Sequence, residues 1–106
     1  MKSLEIAIDL PEKEIEIFCR KWEIRELSLF GSVLSDKFND DSDIDFLVTF
    51  EEKAQHSLFD LVHMEDELTA ILGRKVDLVS RRGLESSMNY LRKEAILSTA
   101  EPIYGP

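Results

Sequence analysis

Two aspartates interrupt an apolar stretch of the chain, and this interruption limits what the stretch can fold into. Asp43 and Asp45 flank Ile44 at the start of the run 44–48, although aspartate is a poor strand former. Residues i and i+2 of a strand lie on one face, about 7 Å apart at Cα. Two like charges placed in this way repel each other unless a cation lies between them. The pattern therefore predicts a strand that carries a divalent-metal site at its beginning.

A Gly-Ser pair precedes the aspartates at a characteristic spacing. Gly31-Ser32, ten intervening residues and Asp43-x-Asp45 together resemble the signature of the nucleotidyltransferase superfamily that includes DNA polymerase β. A predicted strand before the pair and a later one that carries Asp77 are similar to the same superfamily. At this length the chain most resembles the minimal nucleotidyltransferase (MNT) family, which provides antitoxins beside HEPN-domain ribonuclease toxins. The resemblance covers most of the chain, residues 8–104.

The resemblance implies a role for each of these residues in nucleotidyl transfer from ATP. Asp43, Asp45 and Asp77 would hold Mg²⁺, with two ions expected from the two-metal mechanism. Asp77 would complete the site for the ion that activates the acceptor hydroxyl, and would take its proton. Gly31 would let the backbone approach a phosphate, because it has no Cβ, and Ser32 would bind the terminal phosphates through its hydroxyl and N–H. Such chemistry needs positioning and charge neutralisation more than covalent catalysis by the protein.

One position departs from the family pattern. Many members carry a basic residue, commonly Arg, three positions after the motif serine, where this chain has Ser35. Loss of one charge-assisted contact costs about 1.5–3 kcal/mol, which is roughly ten- to hundredfold in affinity. Lys37 is the candidate substitute for nucleotide binding. Lys75, Arg81 and Arg82 flank the third aspartate and are further candidates for the triphosphate, although a basic cluster is more often a solvated face.

Composition indicates one acidic domain. The 106 residues are 43% hydrophobic with three Pro and four Gly, as expected of a single domain over residues 1–106. The net charge of −9 argues against direct nucleic-acid binding and suits either docking onto a basic protein surface or solubility alone. Six of the thirteen basic residues lie between positions 74 and 93. One cysteine, no apolar leader and no membrane-length apolar run predict a cytoplasmic protein without a membrane partner.

Two amphipathic helices are predicted from apolar spacing and capping residues. Pro11 opens the first, because its missing N–H costs least there. Ser57 caps the second, which runs to Leu72 and stops at Gly73. The apolar stripe of the first is spaced i, i+3, i+4, i+7: Ile15, Phe18, Cys19 and Trp22. The predicted inner face of the second consists of Leu58, Leu61, Val62, Leu68 and Leu72.

Strands and shorter helices complete the pattern. A weak strand signal covers residues 4–10, and clearer strands cover 24–30, 44–50 and 75–80. A short helix is predicted over 33–37, whose N-terminus would help Ser32 to bind phosphate, and a last helix over 85–99. Alternating helices and strands with short connections predict an α/β (α+β) domain. The polymerase β-like nucleotidyltransferase core has the same order, a small mixed sheet with helices packed against it.

The leading functional hypothesis is Mg²⁺-dependent transfer of AMP from ATP to a protein hydroxyl. The resemblance implies that the acceptor is a tyrosine of a HEPN ribonuclease toxin, in a hetero-oligomer with this chain. An added nucleotide would bring bulk and negative charge to a site that must bind RNA phosphates. A non-catalytic antitoxin that occludes its toxin is the alternative, favoured by Ser35 and opposed by the intact aspartates. Nucleotidyl transfer to a small molecule is a third reading, disfavoured because no further acceptor-binding domain is evident.

Overall fold

Four strands form one mixed sheet in the computed structural model, which describes residues 10–105. The weak strand signal over residues 4–10 lies, except for its last residue, outside the described residues. The strand order is β3-β2-β1-β4. β1 pairs antiparallel with both β2 and β4, whereas β2 and β3 are parallel. The strands are β1 (Ile24–Phe30), β2 (Ile44–Phe50), β3 (Val76–Ser80) and β4 (Glu101–Tyr104).

Four α-helices accompany the sheet: α1 (Glu12–Lys21), α2 (Leu58–Leu72), α3 (Arg81–Glu85) and α4 (Tyr90–Thr99). The predicted caps of α2 are confirmed. The Ser57 hydroxyl accepts a hydrogen bond from the Asp60 N–H, and the Asp60 carboxylate accepts one from the Ser57 N–H. Gly73 ends the helix in the left-handed region at φ +71°. Within residues 10–105, no helix is both long enough and apolar enough to cross a membrane.

The last helix predicted over 85–99 is confirmed over Tyr90–Thr99 (α4) and is wrong at its start. Residues 86–89 are not helical and separate α4 from α3, to which Glu85 belongs. The Ser80 hydroxyl caps α3 by accepting from the Gly83 N–H, and the Asn89 side chain caps α4 by accepting from the Arg92 N–H. The Ser87 hydroxyl also accepts from the Asn89 N–H. Short polar side chains compete with helical hydrogen bonds in this way, so the segment begins a new helix and does not continue the old one.

Strand β4 was not predicted. It has only four residues, and Pro102 lies in its middle, which removes one ladder donor and weakens any strand signal. Pro102 is tolerated because, within residues 10–105, β4 is an edge strand that pairs with β1 alone. The strand exists because β1 offers it a partner, which is a long-range condition that no local pattern shows.

One face of the sheet packs against α1 and α2 and forms the main core. Ile44, Phe46 and Val48 of β2 are completely buried there, together with Leu27 and Leu29 of β1. The predicted stripe of α1 is confirmed as part of this core: Ile15, Phe18 and Cys19 are buried and Trp22 packs against them. Burial raises the pKa of the Cys19 thiol to about 12, so this cysteine is an inert core residue.

Three of the five residues predicted for the inner face of α2 are confirmed, and two are wrong. Leu68 is completely buried, and Leu61 and Leu72 pack against the core. Leu58 and Val62, by contrast, are 79% and 53% exposed. The helix turns the side that carries Leu61, Leu68 and Leu72 toward the core, so Leu58 and Val62 lie on a side that faces away from it.

Candidate active site

The three aspartates meet at one end of the sheet. Asp45 is directly opposite Phe30 of β1 and Asp77 of β3, and paired residues of adjacent strands point to the same face. Asp43 immediately precedes β2 and, by the alternation of side chains, belongs to this face too. Asp43 and Asp45 are half-buried, and Asp77 is exposed. The arrangement leaves the carboxylates on the face opposite the main core.

The electrostatics of Asp45 reflect this crowding. Burial raises the pKa of its carboxyl group, and the charges of Asp77 and Asp43 raise it further, in that order. The positive charge of Arg92 acts in the opposite direction and lowers the pKa. The site therefore has an excess of negative charge, which a bound cation would relieve.

The donor set fits a magnesium ion that is completed by its substrate. Within residues 10–105, no three His, Cys, Asp or Glu side chains converge into a ready-made metal centre. Mg²⁺ does not need one, because it is usually held by one or two carboxylates together with substrate phosphates and waters. Asp43, Asp45 and Asp77 offer oxygen ligands only, and the repulsion at Asp45 is what a cation between these carboxylates would remove.

Gly31 is required at its position by two independent features. Its φ of +83° lies in the left-handed region, where a Cβ is unfavourable. A Cβ built there would also lie 2.5 Å from Oδ2 of Asp45, a separation that no relaxed side chain adopts. The backbone after β1 therefore lies directly against the central carboxylate. The Gly-Ser pair and the aspartates, ten residues apart in the chain, form one site.

Ser32 is available for a ligand, although not in the setting that the sequence predicts. The predicted helix over 33–37 is wrong, because the structure has one 3₁₀ turn over Gly31–Leu34. Ser32 lies inside this turn, and a single turn has little helix dipole to offer a phosphate. Its carbonyl accepts hydrogen bonds from the N–H and the hydroxyl of Ser35, at 2.9 and 3.1 Å. Its own hydroxyl makes no hydrogen bond within residues 10–105, so it is free to bind an anion.

The candidate basic residues lie at different distances from the aspartates. The Lys37 side chain is exposed and has no ion pair within the described part of the chain, so its role stays a prediction. Arg81 and Arg82 line a cavity at the opposite end of β2 and β3, beside Val48 to Phe50 and Ser80. Arg81 is also paired with Glu85 and Glu26, at 3.3 and 3.9 Å. Lys75 precedes β3 at the aspartate end and is exposed.

Arg74 supports the site in a way that the sequence did not indicate. Its Nη2 donates to the carbonyl oxygens of Asn39 and Ser42, at 2.6 and 3.4 Å. Its guanidinium lies 4.4 Å from the centre of the Phe38 ring. The loop over 39–42 leads directly into Asp43, so Arg74 fixes the approach of the chain to the first aspartate. Its only sequence signal was membership of a basic cluster, which is usually a solvated face.

Glu65 supports the strand that carries the third aspartate. Its Oε2 accepts a hydrogen bond of 2.9 Å from the Leu78 N–H. β3 is an edge strand, and this N–H would otherwise need water as its partner. The contact joins α2 to the residue after Asp77, and thereby helps to hold that side chain in register with Asp45.

Comparison with known proteins identifies the family of this chain. A family model described as the nucleotidyltransferase domain matches residues 12–100. The chain is 34% identical over 88 residues to the protein adenylyltransferase MntA of Thermococcus cleftensis, and the match covers 83% of this chain and 84% of that protein. The match therefore extends over most of both chains.

Solved structures share the fold. A chain of a toxin–antitoxin crystal structure with AMP-PNP superposes with a TM-score of 0.70 at 23% identity, covering 92% of this chain and 75% of that one. A chain of the complex between tri-AMPylated Shewanella oneidensis HEPN toxin and MNT antitoxin gives 0.62 at 23% identity, with 90% and 70% covered. Fold and sequence identity agree, and the chain therefore belongs to the nucleotidyltransferase domain family, as a minimal nucleotidyltransferase.

Proposed function

We propose that this protein is an Mg²⁺-dependent adenylyltransferase antitoxin that transfers AMP from ATP to a tyrosine hydroxyl of a HEPN ribonuclease toxin. The observation that carries the proposal is the meeting of Asp43, Asp45 and Asp77 beside the Gly31-Ser32 turn. The relative from Thermococcus cleftensis is a protein adenylyltransferase. The structural neighbours include a toxin–antitoxin structure with AMP-PNP and an AMPylated HEPN toxin bound to its MNT antitoxin.

The transfer exchanges one phosphorus–oxygen bond for another. The tyrosine oxygen forms a bond to the α-phosphorus of ATP, the bond from that phosphorus to the α,β-bridging oxygen breaks, and pyrophosphate leaves with the electron pair. The hydroxyl proton passes to a carboxylate, for which Asp77 is the candidate because it is exposed beside Asp45. Asp43 and Asp45, with Asp77, would hold Mg²⁺, which supplies neutralisation of phosphate charge and acidification of the hydroxyl when bound. Ser32 and Lys37 would bind the terminal phosphates.

Charge supports a protein acceptor. The chain has a net charge of −9, and a ribonuclease needs a basic surface to bind its RNA. Complementary fields of this kind accelerate association and favour a hetero-oligomer with the toxin. We place the reaction in the cytoplasm, where cellular RNA is the target of such a toxin and a single thiol stays reduced.

A non-catalytic antitoxin is the second candidate, and one observation favours it. The Ser35 hydroxyl closes the 3₁₀ turn by donating to the Ser32 carbonyl, so this position provides no cation for a triphosphate. Such a protein would keep the fold and neutralise the toxin by occlusion alone. The intact set of three aspartates opposes this reading, because repelling carboxylates have no use in a purely structural site.

The decisive experiment is intact mass spectrometry of the HEPN partner after incubation with this protein, ATP and Mg²⁺. The double variant Asp43→Asn/Asp45→Asn is the matched control, because it keeps the shape of both side chains and removes their charge. A mass gain of one or more AMP units with the native protein, absent with the variant, is the expected result. No gain, together with a toxin silenced equally by both proteins, would replace the transferase with the occluding antitoxin.

A further inference from the structure

Helix α4 crosses the face of the sheet that carries the aspartates. Its Ile96 is buried in a small cluster with Phe30 of β1 and Leu47 of β2. Phe30 is the direct neighbour of Asp45 in the sheet, and Leu47 lies two residues beyond Asp45 on the same face. The contact made by Ile96 therefore sets α4 directly beside the central carboxylate.

Arg92 lies one turn before Ile96 on the same side of the helix, because residues i and i+4 share a helix face. Its backbone N–H is held by the cap of Asn89, at 3.1 Å, so the first turn of α4 is well formed at this residue. Its charge reaches the site: of the cations, Arg92 is the one that opposes the raised pKa of Asp45. Arg92 therefore lies on the side of α4 that packs toward the sheet, within electrostatic reach of Asp45.

The guanidinium of Arg92 is uncommitted. It makes no hydrogen bond and no ion pair within residues 10–105, and the side chain is exposed. The neighbouring basic residues differ in this respect, since Lys93 donates to the Glu85 carbonyl and Arg81 pairs with Glu85. Arg74 is bonded to the loop before Asp43. An arginine that is near a carboxylate site, yet unpaired, is free to bind an anionic ligand brought to that site.

We propose that Arg92 binds the phosphate groups of the nucleotide at this site, and so supplies from α4 the positive charge that Ser35 lacks. The inference rests on the proposed function for its nucleotide, and deepens it by naming a binding residue. A guanidinium presents a planar fork of N–H donors that matches phosphate oxygens in a bidentate manner. During transfer, Arg92 would neutralise charge on the departing pyrophosphate, without forming a covalent bond or giving up a proton.

The test compares Arg92→Gln with Lys93→Gln, its neighbour on the same helix. Each variant removes one positive charge from the first turns of α4, but Lys93 is directed to the Glu85 carbonyl and the Tyr90 ring. Binding of α,β-methylene-ATP, whose α-phosphorus cannot be transferred, is measured by calorimetry with Mg²⁺, and AMP transfer to the HEPN partner by intact mass. We expect Arg92→Gln to weaken nucleotide binding about ten- to hundredfold and Lys93→Gln to change it by less than about twofold. Arg92→Lys should recover part of the loss.

The melting temperature separates a binding role from a structural one. Arg92→Gln keeps the backbone N–H that Asn89 caps, so the thermal unfolding midpoint should stay at the native value. Equal binding by Arg92→Gln and the native protein would overturn the inference, as would equal weakening by Lys93→Gln. If the native protein binds the analogue but never adds AMP to the partner, the proposed function is wrong. The binding data alone then decide whether Arg92 binds the nucleotide. A native protein that binds no nucleotide would overturn both.

Discussion

The two faces of the sheet serve different tasks, although the same strand contributes to both. From β2, Ile44, Phe46 and Val48 enter the core beneath α1 and α2, where all three are completely buried. On the other face, Asp45 lies between Phe30 and Asp77. Because side chains alternate along a strand, the residues that stabilise the core and those of the candidate site occupy neighbouring positions in β2. A one-residue slip of register would exchange the two sets and destroy both.

The two faces also differ in how completely they are covered. The core face packs a large cluster of buried residues against two helices of ten and fifteen residues. Within the described residues, the site face has a smaller buried cluster, to which the sheet contributes Phe30 and Leu47, α3 contributes Leu84 and α4 contributes Ile96. A change on the core face should therefore cost more stability than a change on the site face.

Removing one charge from the site face should abolish activity without loss of stability. We expect Asp45→Asn to lower the rate of AMP transfer by at least about a hundredfold, as for loss of a preorganised charge in other active sites. Because burial and the charges of Asp77 and Asp43 raise the pKa of Asp45, its ionised form opposes folding when no metal is bound. The melting temperature of the metal-free variant should therefore rise. A lower melting temperature would show that Asp45 belongs to the stabilising face after all.

Removing a large side chain from the core face should do the reverse. Phe46→Ala leaves a cavity in a fully buried position and should cost about 3–5 kcal/mol in the free energy of unfolding, measured by urea denaturation. Phe59→Ala is the matched control, because Phe59 is 79% exposed and should change stability by less than about 0.5 kcal/mol. Similar losses in the two variants would mean that the outer side of α2 is covered in solution.

Glycine substitutions distinguish backbone strain from contact with the site. Gly31→Ala combines a left-handed φ of +83° with a Cβ 2.5 Å from the Asp45 carboxylate. Gly73→Ala has a similar φ of +71° but meets nothing within 4 Å. Both should lose about 1–3 kcal/mol of stability from the strained backbone, whereas only Gly31→Ala should lose AMP transfer as well. Full activity in Gly31→Ala would show that Asp45 moves aside freely.

The cap of α2 should affect stability only, and by the least. Ser57→Ala removes the hydroxyl that accepts from the Asp60 N–H and should cost about 1 kcal/mol, with AMP transfer by the folded protein unchanged.

The same cap should make stability depend on pH, because the hydrogen bond from the Ser57 N–H lowers the pKa of Asp60. The contribution of this hydrogen bond to the free energy of unfolding is therefore present at neutral pH and is lost as the pH falls below the ordinary carboxyl range. Thermal unfolding of Asp60→Asn should depend less on pH in that acidic range than unfolding of the native protein.

Local patterns in the sequence determined much of the fold. The spacing of apolar residues placed α1, and the Ser57 and Gly73 caps bounded α2, because periodicity and capping are properties of a few neighbouring residues. The bounds of β1 and β2 were predicted at Ile24–Phe30 and Ile44–Phe50 and are confirmed. The same local reading failed at residues 33–37, where Ser35 closes a 3₁₀ turn, and at 86–89, where side chains compete for helical hydrogen bonds.

The sequence by itself also indicated the candidate residues of the acidic site, since the spacing of Gly31-Ser32 from Asp43 and Asp45 is a property of the chain alone. Tertiary structure decided how they are arranged. Asp77 lies beside Asp45 only through the register of β2 with β3, and Arg92 comes within electrostatic reach of Asp45 because Ile96 packs α4 against the sheet. Leu58 and Val62 are exposed because α2 turns the side of Leu61, Leu68 and Leu72 toward the core. Contacts between distant segments depend on packing, and packing cannot be predicted from a local sequence pattern.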